Sequence, residues 1–119
     1  MNVNDALLQI NQYFHPRIIG EVNDQYIKVA KIKGQEIPWH NHEHEDELFL
    51  IIEGFLTMEI ENEPDFIMQK GDFYVVKKGV NHRVSATEEC SIMLIESKIT
   101  QHTGKVTTAI TKSIDEQQY

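Results

Sequence analysis

Three histidines and five acidic residues fall within the sixteen positions from Trp39 to Gly54, WHNHEHEDELFLIIEG, before the stretch turns almost wholly apolar. His40 and His42 stand two apart, so on a strand both side chains leave the same face, as two ligands of one ion must. Glu47 opens the apolar run and shares its parity with Phe49 and Ile51. A hairpin turning at EHED would set Glu47 beside His40 and His42. Two imidazoles and a carboxylate suit a divalent first-row metal such as zinc, iron, manganese or nickel. A further ligand has to come from elsewhere, and KKGVNHRVSA offers His82 just after a glycine turn. A solvated polar loop would have the same composition, so these residues alone leave both readings open.

The elements that must hold these residues are strands. YIKVAKIKG, from Tyr26, alternates apolar and polar residues, with Ile27, Val29 and Lys31 on one side. FLTMEIENEPDFIMQKGDFYVVKKG breaks into strand runs at turn signals over Asn62–Asp65, Gly71–Asp72 and Lys78–Gly79. CSIMLIES is a further strand. Strands recurring at this spacing with no helix between them predict an all-β sandwich or barrel. Ahead of them, Ala6, Leu7, Ile10 and Phe14 predict a short N-terminal helix over residues 5–14, capped by Asp5 and ended through Pro16. The polar tail from Thr100 to Tyr119 reads as one or two short strands and a loose end.

Composition narrows the class. The chain has 119 residues, 40% of them hydrophobic, and a formal charge of −8, which describes one globular domain. That charge argues against nucleic acid or an anionic membrane as a partner. No apolar run reaches the roughly 20 residues that span a bilayer. MNVNDALLQINQYF does not read as a signal peptide. The single cysteine, Cys90, allows no internal disulfide, and a cytoplasmic location is expected.

The two histidine-bearing stretches resemble the paired motifs of the cupin superfamily. Gly34, QEIPW, His40, Asn41, His42, EHED, Glu47, LFLIIE and Gly54 match every fixed position of the first motif. Gly71, Gly79 and His82 match the second in register, while Lys77 stands in place of a proline and Ala86 in place of an asparagine. The motifs cover close to half the chain, and the pattern looks like small cupins grouped with mannose-6-phosphate isomerase. The resemblance implies a jelly-roll-like β-barrel (a double-stranded β-helix) spanning residues 1–119 as one domain, with the barrel over about 24–97. It also implies one divalent metal ion per chain, zinc, iron, manganese or nickel, held by His40, His42, Glu47 and His82. Such a ligand set leaves about one or two positions for water or substrate. The activity expected from it is isomerase- or dioxygenase-type chemistry on a small organic molecule. The alternative is a non-enzymatic module that binds or senses a small molecule.

Strand parity predicts what surrounds such a site. Leu56, Met58 and Ile60 face inward, Phe49 and Ile51 share the side of Glu47, and Val84 and Ala86 share that of His82. Phe49, Ile51, Met58 and Val84 are therefore the expected pocket residues. His44, His15 and His102 are expected outside the site, and Glu43, Glu45 and Asp46 as a solvated rim. Arg83 should point away from His82, Trp39 should cover the barrel edge, and Cys90 should pack in the core or an interface. Leu48, Leu50 and Ile52 form a second apolar face, and FYVV and IMLI are apolar on both sides. Strands apolar on both faces need two covers, which predicts a homodimer.

Overall fold

The structure is a computed structural model that describes residues 1–99 and 111–118. Helix α1 (Val3–Leu8) precedes seven strands: β1 (Arg17–Val22), β2 (Gln25–Gly34), β3 (Glu47–Glu53), β4 (Phe55–Ile60), β5 (Phe66–Gln69), β6 (Phe73–Val76) and β7 (His82–Ser97). A helical turn, α2 (Ile114–Gln117), follows. Among the described residues all strand pairs are antiparallel, in the order β1-β2-β7-β3-β6, with β4 joining β5 to β7. No described helix is long and apolar enough to cross a membrane.

Strand β7 organises the barrel. Its 16 residues pair with β2 along most of their length, with β3 from Ser91 to Glu96, and with β4 from His82 to Ser85. The inward parity along β7 is His82, Val84 and Ala86, then Cys90, Ile92, Leu94 and Glu96, and all of these are buried. Facing them are Ala30 and Ile32 of β2, Phe49 and Ile51 of β3, and Leu56, Met58 and Ile60 of β4, in one continuous core. The inward set on β4 is thus the expected one. On β2, the face formed by Ile27, Val29 and Lys31 lies outside the barrel, and Lys28, Ala30 and Ile32 point in.

The N-terminal segment departs from expectation. Asn2, not Asp5, caps α1: the Asn2 Oδ1 accepts the Asp5 N–H at 3.1 Å, the bond an N-cap side chain makes to the third helical residue. The helix ends at Leu8, well short of Pro16. The cause lies in where the four apolar residues go. Ala6, Leu7 and Ile10 pack with Val29 on the outside of the sheet, whereas Phe14 is buried in the barrel core. A single helix cannot serve both, so the chain leaves the helix and crosses the rim, and Phe14 takes a left-handed φ of 57°. Its N–H donates to the Lys31 carbonyl.

The outer apolar face is partly covered. Ile52 and Met93 pack under α1, while Leu48, Leu50, Val75 and Ile95 are half-buried and Phe73 is exposed. Of the tail, residues 111–118 are described. Its described part is a helical turn rather than a strand, with one parallel bridge between Gln118 and Ile18, and Gln117 is buried. His102 and the tail over 100–110 lie outside the described residues.

Gly54, at the β3–β4 turn, has φ +86°, and a Cβ there would stand 2.7 Å from the Glu89 carbonyl oxygen. The turn therefore presses against β7. Gly34 has a similar φ of +83° but open space around it. Gly54→Ala is expected to cost about 2–4 kcal/mol, combining left-handed strain with overpacking, and Gly34→Ala only about 1–2 kcal/mol. Urea unfolding of both variants, compared at equal slope, measures the difference.

Candidate metal centre

The four predicted ligands converge. His40, His42, Glu47 and His82 are each buried, and one ligand atom from each lies within 4.8 Å of the others. His42 and Glu47 bracket the acidic turn, and His82 starts β7 opposite Ile60. His40 and His82 are locked by reciprocal backbone bonds: the His40 N–H donates to the His82 carbonyl at 3.1 Å and the His82 N–H to the His40 carbonyl at 2.9 Å.

The ligand-bearing loops are also tied by a further backbone bond and by the Asp46 side chain. The Gly79 N–H donates to the His42 carbonyl at 2.8 Å, with Gly79 in a left-handed turn of φ +80°. Asp46 Oδ1 accepts the Lys78 N–H at 2.9 Å, and Oδ2 lies 3.4 Å from Lys77 Nζ. These bonds hold Asp46 below the usual carboxylate range, the backbone bond from Lys78 first and Lys77 after it. Asp46 is exposed as expected, but it is more than a solvated rim residue. It fastens the turn where lysine replaces proline to the loop that carries the other ligands.

The imidazoles are arranged as ligands need to be. His40 Nδ1 lies 2.8 Å from the Pro38 carbonyl and His82 Nδ1 lies 2.9 Å from that of Val80. A carbonyl can only accept, so both Nδ1 atoms carry a hydrogen, and in the neutral ring this leaves the Nε2 lone pair free for an ion. Burial, and the proximity of His82, push the His40 pKa down to about 4. His42 Nε2 and His82 Nε2 are buried with no hydrogen-bond partner, each facing Glu47 Oε1 at 3.5 and 3.6 Å. These distances are long for hydrogen bonds. They are what two atoms show when each sits about 2.0–2.2 Å from one shared ion. Orphaned buried nitrogens and a three-nitrogen, one-oxygen donor set therefore fit a divalent metal. The cluster could hold one.

Behind Glu47 stands a buried network absent from the expectations above. Glu47 and Glu96 are direct cross-strand partners, 4% and 2% exposed. Glu96 Oε1 lies 2.6 Å from Lys28 Nζ, and Lys28, 1% exposed, also donates to Gln117 Oε1 at 2.5 Å. Burial alone would raise the Glu47 pKa, but Glu96, His42 and His82 outweigh it and hold it well below the usual range. Burial, then the Glu47 carboxylate, push Glu96 well above its ordinary value. The place of Glu96 on the inward parity of IMLIE was a visible signal. Lys28 gave a weaker one, and nothing marked Gln117.

A cavity of about 40 Å³ adjoins the cluster, above the roughly 10–15 Å³ that admits one water molecule. His40 and Glu47 contribute its polar edge, and the rest is apolar, with Phe14, Ile37, Phe49, Val84 and Leu94 among the lining. Of the expected pocket residues, Phe49 and Val84 line it, while Ile51 and Met58 are buried in the core beyond it.

The remaining residues fall outside the cluster. The His44 side chain is exposed beside Glu43. His15 bonds Gln12 and the Glu116 carbonyl. Arg83 forms a two-pronged pair with Glu59 at 2.6 and 3.2 Å and stacks on Trp39. Cys90 is buried in the barrel core.

A cupin domain profile matches residues 29–96, more than half the chain. The chain belongs to the cupin family. Among solved structures it is similar to a cupin-2 domain containing protein from Shewanella frigidimarina NCIMB 400, at 40% identity and a TM-score of 0.79, over 82% of this chain and 94% of that one. A Ralstonia eutropha JMP134 protein provisionally assigned as a mannose-6-phosphate isomerase is 21% identical, with a TM-score of 0.61 over 69% of this chain and 82% of its own, and shares the fold. The curated relative "Uncharacterized protein YdbB" of Bacillus subtilis (strain 168) is 31% identical over 80 residues, 67% of this chain and 70% of its own.

The depressed His40 pKa gives a signed expectation for the metal-free cupin. A folded-state value near 4 against about 6.5 unfolded means that the unfolded chain binds more protons between those limits. The His40 contribution is complete above about pH 6.5 and is lost as pH falls toward 4. Melting midpoints measured in chelator should fall across that window. His40→Gln should flatten the dependence.

Proposed function

We propose that this cupin is a metal-dependent enzyme that acts on a small, neutral or apolar organic molecule, with one divalent ion per chain held by His40, His42, Glu47 and His82. The observation that carries this is the buried cluster with unpartnered His42 and His82 nitrogens, open on one side to an apolar cavity. Zinc, iron, manganese or nickel suits the donor set. When bound, such an ion supplies Lewis acidity, a water of lowered pKa or, if iron, reactivity toward dioxygen.

The chain's own residues set the limits of that chemistry. Among the described residues the cavity carries no titratable side chain besides His40 and Glu47. Proton shuttling by a separate acid and base is therefore disfavoured, and dioxygenase-type reactions suit the site better than sugar isomerisation. Arg83 is committed to Glu59 and Trp39, so it does not offer a clamp for a phosphate group. Phe49 and Val84 border the reacting space and would exclude water from it.

Purified without added metal, the protein should contain about one ion per chain by elemental analysis, and His42→Ala and His82→Ala should lose it. Turnover of a small neutral substrate should follow the metal content. A protein without stoichiometric metal would overturn the reading. The small cavity and its lack of acid–base groups also suit a non-enzymatic binding or sensing role. That role predicts thermal stabilisation by a small ligand with no product under any metal or with dioxygen.

The half-buried outer face of Leu48, Leu50, Val75 and Ile95 supports a homodimer packed sheet on sheet. Light scattering should report a dimer for the unaltered chain and a monomer for Leu50→Glu. A cytoplasmic location fits the same reading, since the lone Cys90 allows no internal disulfide.

A further inference from the structure

An organic molecule that reaches the cluster has to fit beside it, and the adjoining cavity holds about 40 Å³. Pockets that take small molecules run to roughly 300–1,000 Å³. Some wall of the cavity has to yield. Its strand-borne lining, such as Ala30, Phe49 and Leu94, stands on β2, β3 and β7, each paired on both sides, and a close-packed interior of that kind gives little. Ile37 and His40 lie on the loop after β2, which the reciprocal bonds between His40 and His82 pin. Phe14 and Pro16 differ. They stand on the crossing between α1 and β1, which belongs to no strand pair among the described residues. The Phe14 N–H bonds the Lys31 carbonyl at 2.9 Å, and Lys31 Nζ bonds the Ile10 carbonyl at 3.0 Å. At the surface, the Tyr13 hydroxyl donates to Glu89, and His15 meets Gln12 and the Glu116 carbonyl. Phe14 sits at φ 57°, a left-handed conformation that bulky residues rarely adopt. Such strain persists where the surroundings over-determine it, and it clusters at ligand clamps and switch regions. Here the ring, 2% exposed and set in the cavity wall, holds the strained backbone in place. Withdrawing it would release the strain and vacate a ring-sized space.

We propose that Phe14 is the size-selecting residue of this cavity: its ring occupies the place that a substrate's apolar group takes, and binding displaces it with the crossing over residues 11–16. The inference rests on the metal reading above and narrows its substrate class. The molecule has a small metal-binding head and an apolar group about the size of the ring it replaces.

The test uses the full chain loaded with Co²⁺, whose visible bands shift when an outside ligand binds, and two probes, imidazole and 4-phenylimidazole. Both offer the same ligating nitrogen, and only the second carries an aromatic ring. Phe14→Ala should raise the affinity for 4-phenylimidazole relative to imidazole by about tenfold or more, and Phe14→Leu by about threefold. Met68→Ala opens space in the same core but outside the cavity wall, and should leave that ratio unchanged. In the unaltered chain, saturating 4-phenylimidazole should speed hydrogen exchange at the Phe14 amide, and imidazole should not. If Phe14→Ala does not fold, Phe14→Leu decides. A ratio that stays level in the Phe14 variants or rises as much in Met68→Ala, or an exchange rate that does not change, overturns the proposal and leaves the metal reading standing. If the unaltered chain takes up no Co²⁺, both fall.

Discussion

A carboxylate buried in a protein interior has to be met by positive charge or by hydrogen-bond donors, because desolvation otherwise costs several kcal/mol. Glu47, 4% exposed, imposes that requirement on this barrel, and much of the interior answers it. On one side stand His42 and His82, whose inward nitrogens face it at 3.5 and 3.6 Å without a hydrogen-bond partner. On the other stands Glu96, backed by Lys28. The histidines cannot satisfy Glu47 by themselves, and a divalent ion between them can. The same constraint explains why the network behind Glu47 is polar although both strands are otherwise apolar on their inward parity.

The backbone is arranged to hold that constraint in place. The histidines reach the interior at places where the chain is pinned twice, by the reciprocal bonds between His40 and His82 and by those from Gly79 and Lys78 to the facing loop. The Nδ1 atoms of His40 and His82 are each committed to a carbonyl two residues back, so the orientation of these two rings follows from local backbone geometry. Glu47 has no such local tether, and its orientation depends on contacts across the sheet. The site thus combines locally fixed imidazoles with a carboxylate fixed by tertiary packing.

How much of this the sequence disclosed follows from the range of each interaction. His40, His42 and Glu47 are close in the chain and so were found together. Yet His40 makes a single bridge to His82 and His42 lies in a loop, not on the strand that the two-residue spacing assumed. The glycine turn then delivers His82, so the cluster was legible. Parity likewise found Phe49 and Val84 but could not tell cavity wall from deeper core, and so Ile51 and Met58 were grouped with them. The helix was overextended because Ala6, Leu7, Ile10 and Phe14 look like one stripe, while the fold sends Phe14 into a different core from the others. Lys28 was hidden in a strand whose opposite face carries Ile27 and Val29, because alternation alone does not say which face turns inward. Asp46 looked like any turn acid, because its partners lie more than thirty residues away.

The length of β7 has a kinetic consequence. One strand supplies His82 at its start and Glu96 near its end, and between these points it pairs with β2, β3 and β4. Contacts of such sequence separation form slowly, since the intervening chain must first be closed into a loop. The histidines on the earlier loop meet His82 only once that strand has found its register. A refolding chain therefore acquires its full ion-holding geometry at the end of assembly rather than at the start. Metal capture would mark the completion of the barrel, not its nucleation.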